Sequence, residues 1–124
     1  MRADLLVIGT LLFGLTACSN QSAQRDAIRL TGGDPAKGAA VIARYGCGSC
    51  HTISPLQSAR GLVGPALDGL RNRMYVAGML HNNADNLANW VQNPKAVNPK
   101  TAMPALGVSK DEARDVAAYL YSIE

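Results

Sequence analysis

Cys47-Gly48-Ser49-Cys50-His51 carries the most specific chemistry in the chain. Two thiols with two residues between them, followed at once by a histidine, form the attachment signature of a c-type haem. The spacing has a chemical reason. The two sulfurs can add as thioethers across the vinyl groups on one side of a porphyrin, and the next residue then offers an imidazole nitrogen beneath the iron. Two other readings fit less well. A thioredoxin-like dithiol needs a βαβ setting, which this chain does not offer. A structural zinc site takes four ligands, whereas the motif supplies at most three. No second cysteine pair exists, and the only other histidine is His81.

The third cysteine, Cys18, closes an apolar run from Leu5 to Phe13 through Leu15-Thr16-Ala17 and is followed by polar Ser19-Asn20-Gln21-Ser22. A run of this length is short of the roughly 20 apolar residues of a membrane span and reads as a secretory signal. Leu15-Thr16-Ala17-Cys18 resembles the lipobox of bacterial lipoproteins, which implies removal of residues 1–17 and lipidation of Cys18. An ordinary signal cleaved near Ala17, or an uncleaved anchor, are the alternatives. Either cleavage puts the protein on the periplasmic side of a bacterial membrane, lipid-anchored or soluble, the side on which such haem motifs are loaded. Residues 18–33 are polar, end in Gly32-Gly33, and read as a flexible tether with a coil span of roughly 20 Å. Residues 34–124 form the expected domain.

A domain of this size buries a modest share of its surface, and small domains lean on metals or cofactors. With one Phe and one Trp, aromatic residues cannot fill a large core, and a buried porphyrin supplies apolar bulk in their place. The net charge of +3 is spread without a Lys/Arg run, which excludes a nucleic-acid footprint. No Ser/His/Asp set, carboxylate pair or phosphate loop is visible, so neither an enzyme nor a small-molecule substrate is indicated.

The local signals are helical. Asp34-Pro35 pairs an N-cap with proline at the first helical position, and Ala36 to Tyr45 continues to Gly46. Residues 52–66 carry Pro55, Gly61, Gly64 and Pro65 and read as loop. Asn83 or Asp85 caps a short helix that stops at Asn93-Pro94. Residues 95–104 read as irregular. Ser109-Lys110-Asp111-Glu112 is a capping box, and Ala113, Val116, Ala117 and Leu120 then share one helical face. A second axial ligand opposite His51 must come from Met74, Met79, His81 or Met103. Met103 is preferred, because Pro104 keeps it extended in an irregular segment far along the chain.

With these residues on the page, the chain resembles the class I cytochromes c of bacteria over roughly residues 33–123. Gly33-Asp34-Pro35-Ala36-Lys37-Gly38 resembles the family's opening, where a small residue lets the first and last helices cross. Tyr119-Leu120 resembles the pair that meets it. Gly64-Pro65-Ala66-Leu67 resembles the segment whose proline carbonyl receives the proximal imidazole, and Ala102-Met103-Pro104 resembles the axial-methionine loop. The resemblance implies an all-α fold around one covalent haem c. Cys47, Cys50, His51 and Met103 would bind the haem, with His51 and Met103 on the iron. Pro65 would support His51, and Trp90, Arg73 or Tyr75 would lie near a propionate. It implies single-electron transfer between redox proteins of the respiratory chain. A dedicated subunit of a terminal oxidase or dehydrogenase is the alternative. A haem sensor or a peroxidase-like enzyme would need an open iron. Residues 71–90 look similar to cytochrome c domains associated with terminal oxidases.

Overall fold

The computed structural model describes the backbone of residues 13–124 and the side chains of residues 19–124. The signal segment up to residue 12 and the Cys18 side chain therefore lie outside the described residues. Among the described residues five helices dominate: α1 (Phe13–Thr31), α2 (Pro35–Tyr45), α3 (Ala84–Gln92), α4 (Pro94–Val97) and α5 (Lys110–Ser122). Two 3-10 turns, Cys47–Ser49 and Leu70–Asn72, and a two-stranded antiparallel hairpin complete it. The hairpin's β1 (Tyr75–Val76) and β2 (Leu80–His81) pair Tyr75 with His81 and Val76 with Leu80. Among the described residues no helix is long and apolar enough to cross a membrane.

The capping signals operate as read. The Asp34 carboxylate accepts from the Ala36 and Lys37 amides, with Pro35 in the first turn. Asn83 caps α3 through the Asn86 amide. Ser109 and Glu112 exchange both bonds of the capping box, which satisfies two orphan amides at the start of α5. One helical turn, α4, forms where the chain reads as irregular. Pro94 lacks only an amide that a first turn leaves unpaired anyway, and the Asn98 amide closes the turn on the Pro94 carbonyl.

α5 is the spine against which α1, α2 and α3 pack. Its inner face carries Ala113, Val116, Ala117 and Leu120, each no more than 3% exposed. They meet Val41 and Ile42 of α2 and Leu87 of α3 in one core. Burying one such aliphatic side chain is worth roughly 1.5–3 kcal/mol, so this small helical core depends on close crossing. Gly38 permits the crossing: a Cβ there would stand 2.8 Å from the Tyr119 Cβ and closer still to the Asp115 backbone.

The expected flexible tether is corrected. Residues 19–31 are helical within α1, and α1 packs along α5. Ala27 is fully buried and Thr31 is 1% exposed. The polar composition that reads as linker is the solvent side of an amphipathic helix whose narrow buried face is made of small residues. Such a face has almost no hydrophobic amplitude in sequence.

Candidate functional site

The motif begins where α2 ends. Gly46 closes α2 in the left-handed region (φ 70°), and the chain passes at once into the Cys47–Ser49 turn. Both thiols are free and half-buried. Burial pushes the Cys47 thiol up, outweighing the backbone hydrogen bond that lowers it.

The loop beyond the motif folds back and is laced to it. The Ile53 amide donates to the Ala59 carbonyl at 3.0 Å, Gly61 to Gly48 at 2.9 Å, Gly64 to Cys50 at 2.7 Å and Leu67 to Thr52 at 2.9 Å. The Thr52 hydroxyl adds a bond to the Gly61 carbonyl at 3.0 Å. This lacing brings Pro65 to His51, where Nδ1 lies 2.7 Å from the proline carbonyl. A carbonyl only accepts, so Nδ1 carries the proton and the Nε2 lone pair is left for a metal. Such a bond fixes the ring and raises its basicity as a ligand. Gly64 backs the imidazole, since a Cβ there would stand 2.7 Å from Nδ1.

The Pro65 carbonyl is itself held in place. The Arg73 guanidinium donates to the carbonyls of Ala66 (2.6 Å) and Asp68 (3.1 Å). The Asp68 carboxylate accepts from the amide and hydroxyl of Ser54, both at 2.8 Å. Behind Arg73, the Asn82 side-chain amide donates to the Leu70 and Arg73 carbonyls at 2.8 Å and accepts from the Tyr121 hydroxyl at 2.7 Å. A hydrogen-bonded path thus runs from α5 to the loop that grips His51. Asn82 and Tyr121 were not singled out by sequence reading, because a polar pairing across 39 residues leaves no periodic signal.

Cys47, Cys50, His51 and Pro65 are therefore brought together, with Arg73 clamping the turn beside them. Trp90 lies on α3, half-buried against the core. Tyr75 is 52% exposed, its ring tilted at 44° against His81 with centroids 5.8 Å apart. Met103 is half-buried on the separate loop before α5, its amide bonded to the Thr101 hydroxyl at 3.1 Å. Met74 and Met79, the other candidate sulfur ligands, are 67% and 56% exposed.

These residues fit a haem. Among the described residues no group of three His, Cys, Asp or Glu side chains could hold a bare metal ion. Between the lacing points at Gly61 and Gly64, Leu62 and Val63 stand 89% and 77% exposed. Apolar side chains so bare beside two attachment thiols and a preset imidazole form a cradle for a flat apolar ligand.

Comparison with known proteins agrees. The cytochrome c family model matches residues 35–124. A cytochrome c homolog of Bradyrhizobium diazoefficiens is 35% identical over 99 residues, covering 70% of this chain and 53% of the relative. Cytochrome c2 iso-1 of Rhodospirillum centenum is 32% identical over 117 residues, covering 71% and 94%. Cytochrome c oxidase subunit 2 of Alkalihalophilus pseudofirmus is 30% identical over 89 residues, covering 71% of this chain and 25% of the relative. The chain thus spans about a quarter of the length of that subunit. No solved structure gives a significant match.

Proposed function

The chain belongs to the cytochrome c family, and from that premise we propose that it is a haem c electron carrier working at a bacterial membrane. In this reading Cys18 bears the lipid, the domain lies on the periplasmic side, and single electrons pass between respiratory redox partners. Bound haem iron supplies the one-electron couple. Cys47 and Cys50 would hold the porphyrin as thioethers, and His51, through Nε2, and Met103 would hold the iron. A closed coordination shell leaves no site for substrate or oxygen, and a thioether ligand raises the potential.

One observation carries the reading: the 2.7 Å contact of His51 Nδ1 with the Pro65 carbonyl. It fixes the imidazole tautomer and orientation that a metal ligand needs. Ligation is tested by Met103→Ala, which should abolish the near-infrared charge-transfer band of ferric sulfur ligation and admit exogenous ligands. Met79→Ala should leave both unchanged. The reverse result transfers the axial role to Met79. Cys18→Ser tests the anchor. It should move the haem protein to the soluble fraction, or block maturation, without altering the haem spectrum.

A second reading has its own support. The similarity to an oxidase subunit 2 covers 71% of this chain, which favours a terminal oxidase as electron acceptor or host complex. Co-purification of the wild-type protein with an oxidase through detergent would favour the subunit; a monomeric, exchangeable protein favours the carrier.

A further inference from the structure

The segment that reads as a tether is a docked helix, and this changes what an anchor at Cys18 does to the haem. Three features stiffen the junction between α1 and the domain. The Thr31 hydroxyl caps inward, donating to the Ala27 carbonyl at 2.7 Å and accepting from the Gly33 amide at 3.1 Å. Arg114 of α5 reaches back to donate to the Thr31 carbonyl at 3.0 Å. The Asp34 amide donates to the Asp115 carboxylate at 2.7 Å. Farther along, Arg71 pairs with Asp26 at 3.7 Å. Each bond is modest by itself. Together with the buried Ala27 and Thr31, they leave no free backbone rotation at the point where a hinge was expected.

α1 also has a defined direction. Thr31 lies beside Arg114, near the start of α5. At the other end Ser19, Asn20 and Gln24 line one groove with Tyr119, Ile123 and Glu124 at the end of α5. The two helices therefore run antiparallel, and position 18 stands next to the chain's C-terminal end. From Ala27 back to position 18 is about 14 Å along a helix, at 1.5 Å per residue.

We propose that α1 is a strut: with residues 1–17 removed and lipid on Cys18, the end of the domain formed by residues 18–24 of α1 and the last residues of α5 faces the bilayer, and the haem is held at a fixed angle to the membrane. A coil of the same length would let the domain tumble and search. A strut confines it to partners that present their redox centres at one height and orientation. This rests on the lipid-anchor reading of Cys18.

The test uses the full-length holoprotein in its own membranes, layered on a flat support. Electron paramagnetic resonance of the ferric haem is recorded as the support is turned in the field. Wild type should show g-values that depend strongly on angle. A variant with a flexible Gly-Ser linker inserted between Ser19 and Asn20 keeps the docked part of α1 and the lipid site. It should stay in the membrane fraction and lose the angular dependence. A membrane-bound, lipidated wild type with an isotropic spectrum overturns the strut while leaving the anchor intact. A mature chain that lacks the mass of the lipid and washes from the membrane overturns the anchor, and the proposal with it. Angular dependence that survives the linker also overturns it, because a protein contact would then set the orientation.

Discussion

The two loops proposed to ligate the haem iron, one beside His51 and one carrying Met103, are built differently. On the His51 side, the loop from Ile53 to Leu67 is tied to the motif by two backbone bonds, Gly61 to Gly48 and Gly64 to Cys50, by a third to the adjoining Thr52, and by the imidazole itself. It is clamped from outside by Arg73, Asp68 and, through Asn82, by α5. On the Met103 side the ties around the methionine are local. Thr101 bonds to Asn98, Met103 to Thr101, and the Lys95 ammonium to the Thr101 carbonyl. Farther along that loop, Gly107 and Val108 accept single long bonds from Tyr45 and Gln92, at 3.5 and 3.4 Å. The histidine side is held by ties to distant parts of the chain, whereas the methionine side is held mostly by short-range ones. Local opening follows the regions with few long-range ties, so the Met103 loop should open first under heat or denaturant.

The largest effect sharpens this difference by removing the cofactor. Replacing both Cys47 and Cys50 with alanine should abolish covalent haem and leave the helices poorly packed, because Leu62 and Val63 lose the surface that covers them. Circular dichroism and amide exchange should show residues 99–107 disordered first. A well-ordered haem-free domain with a protected Met103 loop would break the comparison.

A pair of single substitutions sharpens it further. Gly64→Ala places a methyl group 2.7 Å from His51 Nδ1, so either the ring or the laced loop must move. Overpacking of this kind costs about 1–3 kcal/mol, read in denaturant unfolding of the holoprotein, and should also shift the midpoint potential. Thr101→Ala deletes only the bond to the Met103 amide, worth about 1 kcal/mol or less. Equal costs on the two sides would show that the methionine loop is as rigid as the histidine loop.

What sequence reading captured, and what it missed, divides along the same physical line. The capping residues Asp34, Asn83 and Ser109 and the core stripe of α5 are local features. Their geometry is set within one or two turns, and each is where the periodicity puts it. The contact of Pro65 with His51 was reached through family resemblance, since nothing local joins residues 14 apart. Arg73, which the resemblance sets near a propionate, also donates from its guanidinium to the carbonyls of Ala66 and Asp68. Only the folded loop shows that competition for its donors. α1 was misread because its buried face is small and polar, with Ala27 and Thr31 in place of Leu or Ile. Composition marks solvation well and docking by small residues poorly.

The smallest expected effect lies at the start of α5, where the methionine loop meets the helix. The Glu112 carboxylate accepts from the Ser109 amide at 2.8 Å and the Tyr45 hydroxyl at 3.1 Å, and it pairs with Arg44. These partners, led by the bonds from Ser109, hold its carboxyl below the ordinary glutamate range. The unfolded chain keeps the ordinary value, so above that range the folded state gains the full stabilisation. The gain fades as pH falls through the lowered folded value, where the folded carboxyl takes up its proton. Ser109→Ala removes the cap at a cost of about 1 kcal/mol. Glu112→Gln should cost less, and only at neutral pH, converging on wild type in acid. Unfolding curves at neutral and acid pH separate the two contributions. A penalty for Glu112→Gln that stays constant with pH would mean that the side chain acts through shape alone. The cap would then give the methionine loop a charge-independent footing, and the contrast between the two loops would narrow.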